Sequence, residues 1–445
     1  MNISDKFEKY FSVENLKEIF KEHIVYSRAT GIDNLDQYAF RVQLDDQVEI
    51  LSRKVLSGSY NFTKYKLKLV SKGRGKAPRE ISIPTVRDRI ALRSLCNFLS
   101  DIYQGSIEFD LPQNIVKKVK VDLNSSSYDA CIKLDVAGFY PSIKHAELIS
   151  RLGKKIRNPS IKNIIASAIS SPTVSISKPS DLRSERGVPQ GLAVSNILAA
   201  IYLSNIDKYL SSIEGIKYYR YVDDVLIFCS LSRSEEIVDL VVRRFGKIGL
   251  KIHDHKKFPE KSSVGPIANG FDYLGYQFSS GSVTARRSSV ERLKQSLVSI
   301  FTSYKYSKKK SEGFLLWRLN LRITGCVYEN KSKGWLFFFS EINDENLLHS
   351  LDHYVKKLIR RFGVEVTPKK FVRTFKELTH RKYETSYIPN FDNYNVEQME
   401  GVLVDYFSLD IDKYEEEEVK FEFKKRLSKQ VKDLQVDVMD FSYSK

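Results

Sequence analysis

The chain has 445 residues, 42% of them hydrophobic, which is enough for two to four packed units. It contains no run of about 18 apolar residues, and its start mixes charged with apolar side chains, so we expect neither a membrane span nor a signal peptide. Lysine and arginine exceed aspartate and glutamate by 17. This surplus favours a polyanionic partner, although a basic enzyme without one has the same composition.

The predicted elements mix helix and strand from the start of the chain. Residues 1–60 have apolar residues at helical spacing, and two strand-like runs (65–70 and 79–83) flank a GRGK turn. Pro84 ends the second run and a helix follows over 87–100. Further along, the sequence predicts a strand (131–136), a helix (194–210), a hairpin (217–229), an amphipathic helix (237–249), a second hairpin (271–278 with 282–285) and a helix (288–304).

Three acidic residues lie where predicted strands end. Asp135 ends the apolar strand, and Asp223 and Asp224 occupy the tip of the first hairpin. Such carboxylates are costly unless a cation compensates them, and hard oxygen ligands with room for water suit Mg²⁺. Two such ions, with Mn²⁺ as a possible substitute, would support phosphoryl transfer from a nucleoside triphosphate. An Asp-Asp pair alone is often only a turn, so the prediction rests on all three acids together.

The four cysteines are far apart and form no CxxC pair. The sequence therefore indicates neither a zinc knuckle nor a disulfide framework, and a cytoplasmic protein fits best.

Several motifs stand in the order typical of one enzyme family. They are KGRGKAPREISIPTVRDRI (72–90), KLDVAGFYPSIKH (133–145), RGVPQGLAVSN (186–196), YVDD (221–224), LKIHDHKK (250–257) and FDYLGY (271–276). Over roughly residues 25–280 this order resembles that of reverse transcriptases. The likeness is greatest to the bacterial branch that contains group II intron enzymes, retrons and defence-associated enzymes.

The resemblance implies an α+β right-hand polymerase fold, with fingers, a palm built on an antiparallel sheet, a thumb and a mostly helical C-terminal extension. We therefore expect fingers and N-terminal helices over 1–110, and the palm with part of the fingers over 111–280. The thumb would follow over 281–365 and the helical extension over 366–445.

The resemblance also implies a nucleotide pocket. Arg79, helped by Lys76, would bind the triphosphate, because arginine offers a forked and permanently charged donor set. Tyr140 takes the steric-gate position, where its ring would exclude a 2′-hydroxyl and select dNTPs. Gln190 and Gly191 would line the pocket, since glycine allows close backbone approach. A basic surface hairpin, a core aromatic and a Gly/Pro turn are the ordinary structural alternatives.

For catalysis, the resemblance assigns four metal ligands and one acid. The ligands are Asp135, the Val136 main-chain carbonyl, Asp223 and Asp224. Lys256 falls at the lysine that would protonate the leaving pyrophosphate, although the family usually has Asn where His253 stands.

Two further segments would contact nucleic acid. The hairpin with Tyr273, Leu274 and Gly275 resembles the primer grip, with a core hairpin as the alternative. In the thumb-like segment 319–338, Arg322 and Lys333 are expected to contact RNA, whereas residues 336–339 are expected to be core.

The function implied is that of an RNA-directed DNA polymerase, which would use dNTPs and an RNA template and make a DNA product. No cysteine-rich endonuclease segment follows the thumb, and no retron thumb signature is evident, which favours the defence-associated branch and a dedicated non-coding RNA template. The alternatives are template-independent or protein-primed DNA synthesis, a retron- or intron-derived enzyme, and an RNA-binding scaffold. A second protein or a homo-oligomer is possible, and no membrane partner is expected.

Overall fold

The computed structural model describes residues 2–27, 29–71, 77–107, 110–125, 127–381 and 384–438. Its described part divides into two compact units. The first unit takes the chain up to 107 and from 128 to 265, and the second takes 110–127 and 266–438. The expected boundaries of fingers, palm, thumb and extension divide the chain more finely and stay a prediction.

The first unit opens with helices, as the spacing of apolar residues predicts. They are α1 (Ile3–Tyr10), α2 (Val13–Ile19), a π-helical turn (Phe20–Ile24), α3 (Gln37–Val42) and α4 (Leu44–Leu56). Asn2 begins α1 with a capping box, in which its side chain accepts from the Asp5 N–H and the Asp5 side chain accepts from the Asn2 N–H. The apolar faces of these helices join the core of the first unit.

The next elements in the chain include the three strands of a small sheet. They are β1 (Tyr65–Val70), β2 (Arg79–Ile83), α5 (Val86–Tyr103), α6 (Pro112–Asn124), which belongs to the second unit, β3 (Ala130–Ala137), α7 (Phe139–Ser142), α8 (His145–Gly153), α9 (Pro159–Ser170) and β4 (Thr173–Val174). Strands β1 and β2 pair antiparallel with Val70 opposite Arg79, and β4 adds to β1 in parallel. The predicted strands are thus confirmed, while the GRGK turn between them lies outside the described residues.

The palm sheet completes the first unit. Its remaining elements are α10 (Ser195–Ser211), β5 (Lys217–Tyr221), β6 (Asp224–Cys229), α11 (Ser234–Lys247), β7 (Lys251–Ile252) and β8 (Ser263–Pro266). The strand order is β5-β6-β3-β7, with β8 also paired to β3. Strand β3 is central and its apolar side chains are buried, as are those of β6. The predicted strand, helices and hairpin of this region are confirmed to within a few residues.

The second unit contains small sheets and seven further helices among its described residues. Its elements are β9 (Phe271–Tyr273), β10 (Tyr276–Ser279), β11 (Ser282–Ala285), α12 (Arg287–Lys305), α13 (Glu312–Thr324), β12 (Cys326–Tyr328), β13 (Lys331–Lys333), α14 (Trp335–Phe338), α15 (Glu345–Phe362), α16 (Phe371–His380), α17 (Val396–Phe407) and α18 (Glu416–Leu434). The predicted second hairpin is part of the three-stranded sheet β11-β10-β9. Helices α17 and α18 bury their apolar faces against α13 and the β12–β13 hairpin, so the extension shares one core with the thumb-like segment.

Two glycines flank the β12–β13 hairpin, Gly325 just before β12 and Gly334 just after β13. A Cβ on Gly325 would lie 2.4 Å from the Lys333 carbonyl oxygen, and one on Gly334 would lie 2.6 Å from the Gly325 Cα. Only glycine fits such an approach of two backbones. Gly334 is therefore required by packing, and the next residue, Trp335, is buried. In the described part of the chain, no helix is both long enough and apolar enough to cross a membrane.

Candidate active site

The three acidic residues meet at one end of the palm sheet. Strand pairing places Asp135 of β3 directly opposite Asp224 of β6, and Tyr221 opposite Asp224 closes the hairpin around Val222 and Asp223. Directly opposed residues of an antiparallel pair have Cβ atoms about 4.5–5.5 Å apart. The sheet therefore brings together acids that are far apart in sequence.

The turn between β5 and β6 has an unusual backbone. Val222 has a φ of 56°, in the left-handed region. A β-branched residue rarely adopts this region, and holding one there costs about 1–3 kcal/mol. The surrounding contacts must therefore hold the turn in place. One of them is a hydrogen bond of 2.9 Å from the Arg220 guanidinium to the Val222 carbonyl.

A histidine and a lysine lie close to the Asp135 carboxylate. One of its oxygens lies 3.3 Å from His253 Nε2 and 3.7 Å from Lys261 Nζ. The backbone of Asp135 is fixed as well, because its N–H donates to the Ser262 hydroxyl and its carbonyl accepts from the His253 N–H. The sequence analysis did not identify Lys261, because this residue lies after the end of the 250–257 motif.

The Val136 carbonyl faces the acidic turn. The Val136 N–H donates to the Asp223 carbonyl oxygen at 3.3 Å. In a β-strand the N–H and C=O of one residue point to the same side, so the Val136 carbonyl also points toward the strand that follows Asp223. This orientation supports its expected role as a main-chain metal ligand, which stays a prediction.

The donor set fits a hard divalent cation by its chemistry. It offers three carboxylates and one carbonyl, all oxygen ligands, on β3, at the start of β6 and in the turn before β6. Within the described ranges, no group of three or more His, Cys, Asp or Glu side chains is close enough together to hold a metal ion as it stands. The assignment therefore rests on strand register and backbone direction.

Tyr140 follows β3 and a left-handed Gly138, and it is the second residue of the short helix α7. It is 4% exposed, and its hydroxyl donates to the Asn196 side chain at the start of α10. Its carbonyl accepts from the Val188 N–H at 2.9 Å. The structure therefore places this ring beside the loop that precedes α10, where the sequence placed the nucleotide pocket. Asn196 stands in the quoted motif but received no role there.

The loop with Gln190 and Gly191 packs on strand β2. The Gln190 carbonyl accepts from the Ser82 N–H at 2.7 Å. Gly191 has a φ of 100°, and a Cβ there would lie 2.8 Å from Ile81 Cγ2. Close packing on strand β2 thus already accounts for the glycine. Arg79 begins the same strand and is partly buried.

Lys76, the expected helper of Arg79, lies outside the described residues. The structure brings β2, the Tyr140 turn and the Gln190 loop together in one unit. The nucleotide-binding roles of these residues stay predictions.

Lys256 lies in an exposed loop after β7. Its ammonium is 3.6 Å from Glu235 of α11, and its side chain is 72% exposed. The lysine that lies at the Asp135 carboxylate is instead Lys261. The expected role of Lys256 as the acid for pyrophosphate stays a prediction, and the structure adds Lys261 as a second candidate.

The primer-grip segment forms a tight hairpin in the second unit. Tyr273 pairs with Tyr276, and Leu274 and Gly275 both have positive φ, as in a two-residue type I′ turn. The side chains of Tyr273 and Leu274 are buried. A primer contact at this hairpin, which stays a prediction, would therefore use the backbone of the turn.

The structure corrects the expectation that Arg322 and Lys333 contact RNA. Arg322 is buried and pairs with the buried Asp437 at 2.6 Å, while it also donates to the Asp433 carbonyl. Lys333 is buried as well and lies 3.3 Å from Glu329. Both side chains face the interior of the second unit, because helix α18 and the hairpin turn cover them. The expected core at 336–339 is confirmed for Leu336, Phe337 and Phe339.

The buried Arg322–Asp437 pair yields a stability prediction. Arg322→Ala leaves the Asp437 carboxylate buried without its main cation, which costs about 3–5 kcal/mol of unfolding free energy. Burial already raises the pKa of Asp437, and Arg322 opposes that rise. Losing Arg322 raises this pKa further, so the deficit is full at neutral pH and shrinks as acid protonates Asp437. Urea unfolding at pH 7.5 and pH 5 measures both effects.

The control for this prediction is the double variant Arg322→Met/Asp437→Leu, which replaces the pair with apolar side chains. It should lose less stability than Arg322→Ala, since removing both charges leaves none buried alone. Equal losses in the two variants, with no dependence on pH, would assign the effect to packing alone.

Residues 70–278 match the family model described as reverse transcriptase (RNA-dependent DNA polymerase). A curated relative, Protein YkfC of Escherichia coli strain K12, is 22% identical over 291 residues, which cover 56% of this chain and 75% of the relative. Two structures of apo telomerase from Candida tropicalis, one of them truncated from the C-terminal domain, are 16% and 14% identical, with TM-scores of 0.39 and 0.42. They cover 50% and 86% of this chain, which spans 55% and 64% of theirs.

The matched region contains the palm sheet, both parts of the acidic site and the loop that precedes α10. Residues 70–278 form a reverse transcriptase domain in an α+β right-hand polymerase fold, as the sequence led us to expect. The class of enzyme that this domain defines is RNA-directed DNA polymerase.

Proposed function

We propose that this protein copies an RNA template into DNA, adding dNTPs by phosphoryl transfer supported by two Mg²⁺ ions. The observation that carries the proposal is the register of the palm sheet, which sets Asp135 opposite Asp224 with Asp223 in the adjoining turn. Divalent metal ions are general in the reverse transcriptase family, and the choice of Mg²⁺ over Mn²⁺ is part of the proposal.

The residues of the site divide the chemistry between them. Asp135, Asp223 and Asp224 supply the negative charge that holds two divalent ions, which when bound activate the primer 3′-hydroxyl and stabilise the leaving pyrophosphate. Arg79 binds the triphosphate, with Lys76 beside it. Lys256 or Lys261 would give a proton to the pyrophosphate.

The RNA partner requires a cationic surface other than Arg322 and Lys333. Helices α12 and α15 supply one, because they lie side by side and run the same way. Lys294 Nζ lies 5.5 Å from the centre of the Tyr354 ring, and further along both helices the rings of Phe301 and Phe362 stack at 5.2 Å. The last turns of the two helices therefore adjoin.

This arrangement joins two basic runs that are separate in the sequence. We call the joint area the α12–α15 surface, and its exposed cations are Lys305, Lys308, Lys309, Lys310, Lys356, Lys357, Arg360 and Arg361. Across the described residues, none of the eight forms an ion pair with an acid. Tyr306, 77% exposed, stands among them and can stack on a base. We propose that this surface binds the RNA.

Replacing Lys356, Lys357, Arg360 and Arg361 with Ala should weaken RNA binding and flatten its salt dependence. Each phosphate that the variant no longer neutralises lowers the slope of log K against log salt by about 0.7–0.9. The slope is obtained from filter retention of the copurified RNA at KCl concentrations between about 50 and 300 mM, a range over which phosphate contacts are screened.

The matched control replaces four exposed lysines of the same unit that stand outside the α12–α15 surface, Lys413 before α18 and Lys424, Lys429 and Lys432 within it. It should leave the slope close to that of the unchanged protein. If both variants lower affinity equally, the effect is one of net charge and the α12–α15 surface is not the RNA site.

The main test is to sequence the nucleic acid that copurifies with the protein. A defined RNA together with DNA complementary to it supports RNA-templated synthesis. DNA that remains attached to tyrosine after denaturation, with no complementary RNA, would instead indicate protein-primed or untemplated synthesis. RNA without DNA, and no dNTP incorporation, would indicate an RNA-binding scaffold.

The finer part of the proposal is a role in bacterial antiviral defence with a dedicated, structured non-coding RNA, in the cytoplasm. It is supported by the resemblance to defence-associated reverse transcriptases, in which a helical extension accompanies the polymerase core. Helices α16, α17 and α18 lie where that extension is expected and are consistent with it. Phage plating on cells that express the protein, with Asp223→Asn as the inactive control, tests this role. Equal plating on both strains would contradict it.

A further inference from the structure

Two side chains connect the acidic turn to helix α10. Arg220 Nη1 donates to the Val222 carbonyl at 2.9 Å, and Arg220 Nε donates to Asp207 Oδ1 at 2.7 Å. Arg220 Nη2 donates to the other oxygen of Asp207, so the pair is bidentate. Asp207 also accepts from the Tyr218 hydroxyl at 2.8 Å. The Arg220 guanidinium is therefore held by both oxygens of Asp207 while it donates to the Val222 carbonyl at the tip of the hairpin.

The hydrogen bond to the Val222 carbonyl fixes one side of Asp223. A peptide group is planar, so fixing the Val222 carbonyl also fixes the N–H of Asp223. The peptide on the other side is fixed by β3, because the Asp223 carbonyl accepts from the Val136 N–H. The backbone of Asp223 is therefore held at both ends, and with it the direction in which its carboxylate leaves the chain.

The ion pair also controls charge near the site. The Arg220 side chain is 12% exposed and that of Asp207 is 27% exposed, so water screens them only in part. Asp207 neutralises the guanidinium and directs it to a carbonyl. Without Asp207, Arg220 would be an uncompensated cation one residue from the turn, and it would compete with a metal ion for the acids there.

We propose that Arg220 and Asp207 are positioning residues, which hold the Val222 peptide in its left-handed conformation and so keep Asp223 in the orientation that binds metal. The inference rests on the proposed function for its catalytic consequence. Its structural content, that metal affinity depends on this pair, can be measured on the protein alone.

Arg220→Lys and Asp207→Asn test the proposal. Lysine cannot make the forked contact to Asp207 and reach the carbonyl at once. Displacement of a reacting group by about 1 Å costs roughly a hundredfold in rate. We therefore expect single-turnover dNTP incorporation to fall by about that factor, with little change in the KM for dNTP. The Mg²⁺ concentration for half-maximal rate should rise, and Mn²⁺ binding to the protein alone, followed by electron paramagnetic resonance, should weaken.

Arg151→Lys is the matched control. Arg151 of the same unit also joins an acid to a main-chain carbonyl, since its Nε pairs with Glu147 at 2.7 Å and its Nη1 donates to the Tyr202 carbonyl, but it does not contact the turn. It should cost comparable stability in thermal unfolding and leave Mn²⁺ affinity unchanged.

Rescue distinguishes positioning from general destabilisation. Glycine adopts positive φ freely, so Val222→Gly removes the need to hold the turn. The double variant Arg220→Lys/Val222→Gly should recover most of the lost rate and Mn²⁺ affinity. The proposal is overturned if Arg220→Lys binds Mn²⁺ like Arg151→Lys, or if the double variant binds no better than Arg220→Lys. Should the unchanged protein incorporate no dNTP, the proposed function fails, and Mn²⁺ binding still decides the role of the pair.

Discussion

Asp223→Asn should reduce nucleotide incorporation by about a thousandfold or more while the protein still folds and binds RNA. Metal ions stabilise transition-state charge by several kcal/mol, and each 1.36 kcal/mol is a tenfold change in rate. Asparagine keeps the shape of the side chain and removes its charge. Primer extension on a defined RNA template with Mg²⁺ measures the loss, and thermal unfolding measures the fold.

The matched control is Asp239→Asn, which makes the same change in charge at an exposed position of α11 in the same unit. It should extend primers like the unchanged protein. Asp135→Asn should resemble Asp223→Asn, because strand register places the two acids at one site. Near-normal synthesis by Asp223→Asn with Mg²⁺ would contradict the two-metal assignment.

The palm was predictable because its signals are local and regular. Short apolar runs predict β3 and β6, and an acid pair flanked by apolar arms marks a hairpin tip. Asp135 and Asp224 lie opposite each other once β3 and β6 pair. The hydrogen bond from Arg220 to the Val222 carbonyl could not be predicted in this way. It depends on the direction of the Arg220 side chain and on Asp207 of α10.

The second unit shows where sequence patterns fail. Arg322 and Lys333 stand among aromatics in a basic segment, and this composition is also typical of an RNA-binding face. The residue that pairs with Arg322 is Asp437, more than a hundred residues later in the chain. A buried charge is recognised only through its partner, and no local periodicity indicates a partner so distant. The α12–α15 surface was missed as a single feature for the same reason, because it depends on how two helices pack.

Tyr140→Ala should admit ribonucleotides, which raises the ratio of rNTP to dNTP incorporation by about 10–200-fold. The expectation follows from the proposed contact between the ring and the sugar, since crowding by one small group in a pocket changes discrimination by about 1–3 kcal/mol. Steady-state kcat/KM for each nucleotide, measured on one template, gives the ratio.

Tyr140→Phe separates the ring from the hydroxyl. It keeps the ring but removes the hydrogen bond to Asn196, so it should discriminate like the unchanged protein.

Because Tyr140 is buried, Tyr140→Ala also creates a cavity that costs about 3–5 kcal/mol. Tyr140→Val, which fills more of that space, serves if the alanine variant does not fold. An unchanged ratio in an active variant without the ring would make Tyr140 a core aromatic, with selection against the 2′-hydroxyl made elsewhere. If Tyr140→Phe alone relaxes discrimination, the Asn196 hydrogen bond is what orients the ring.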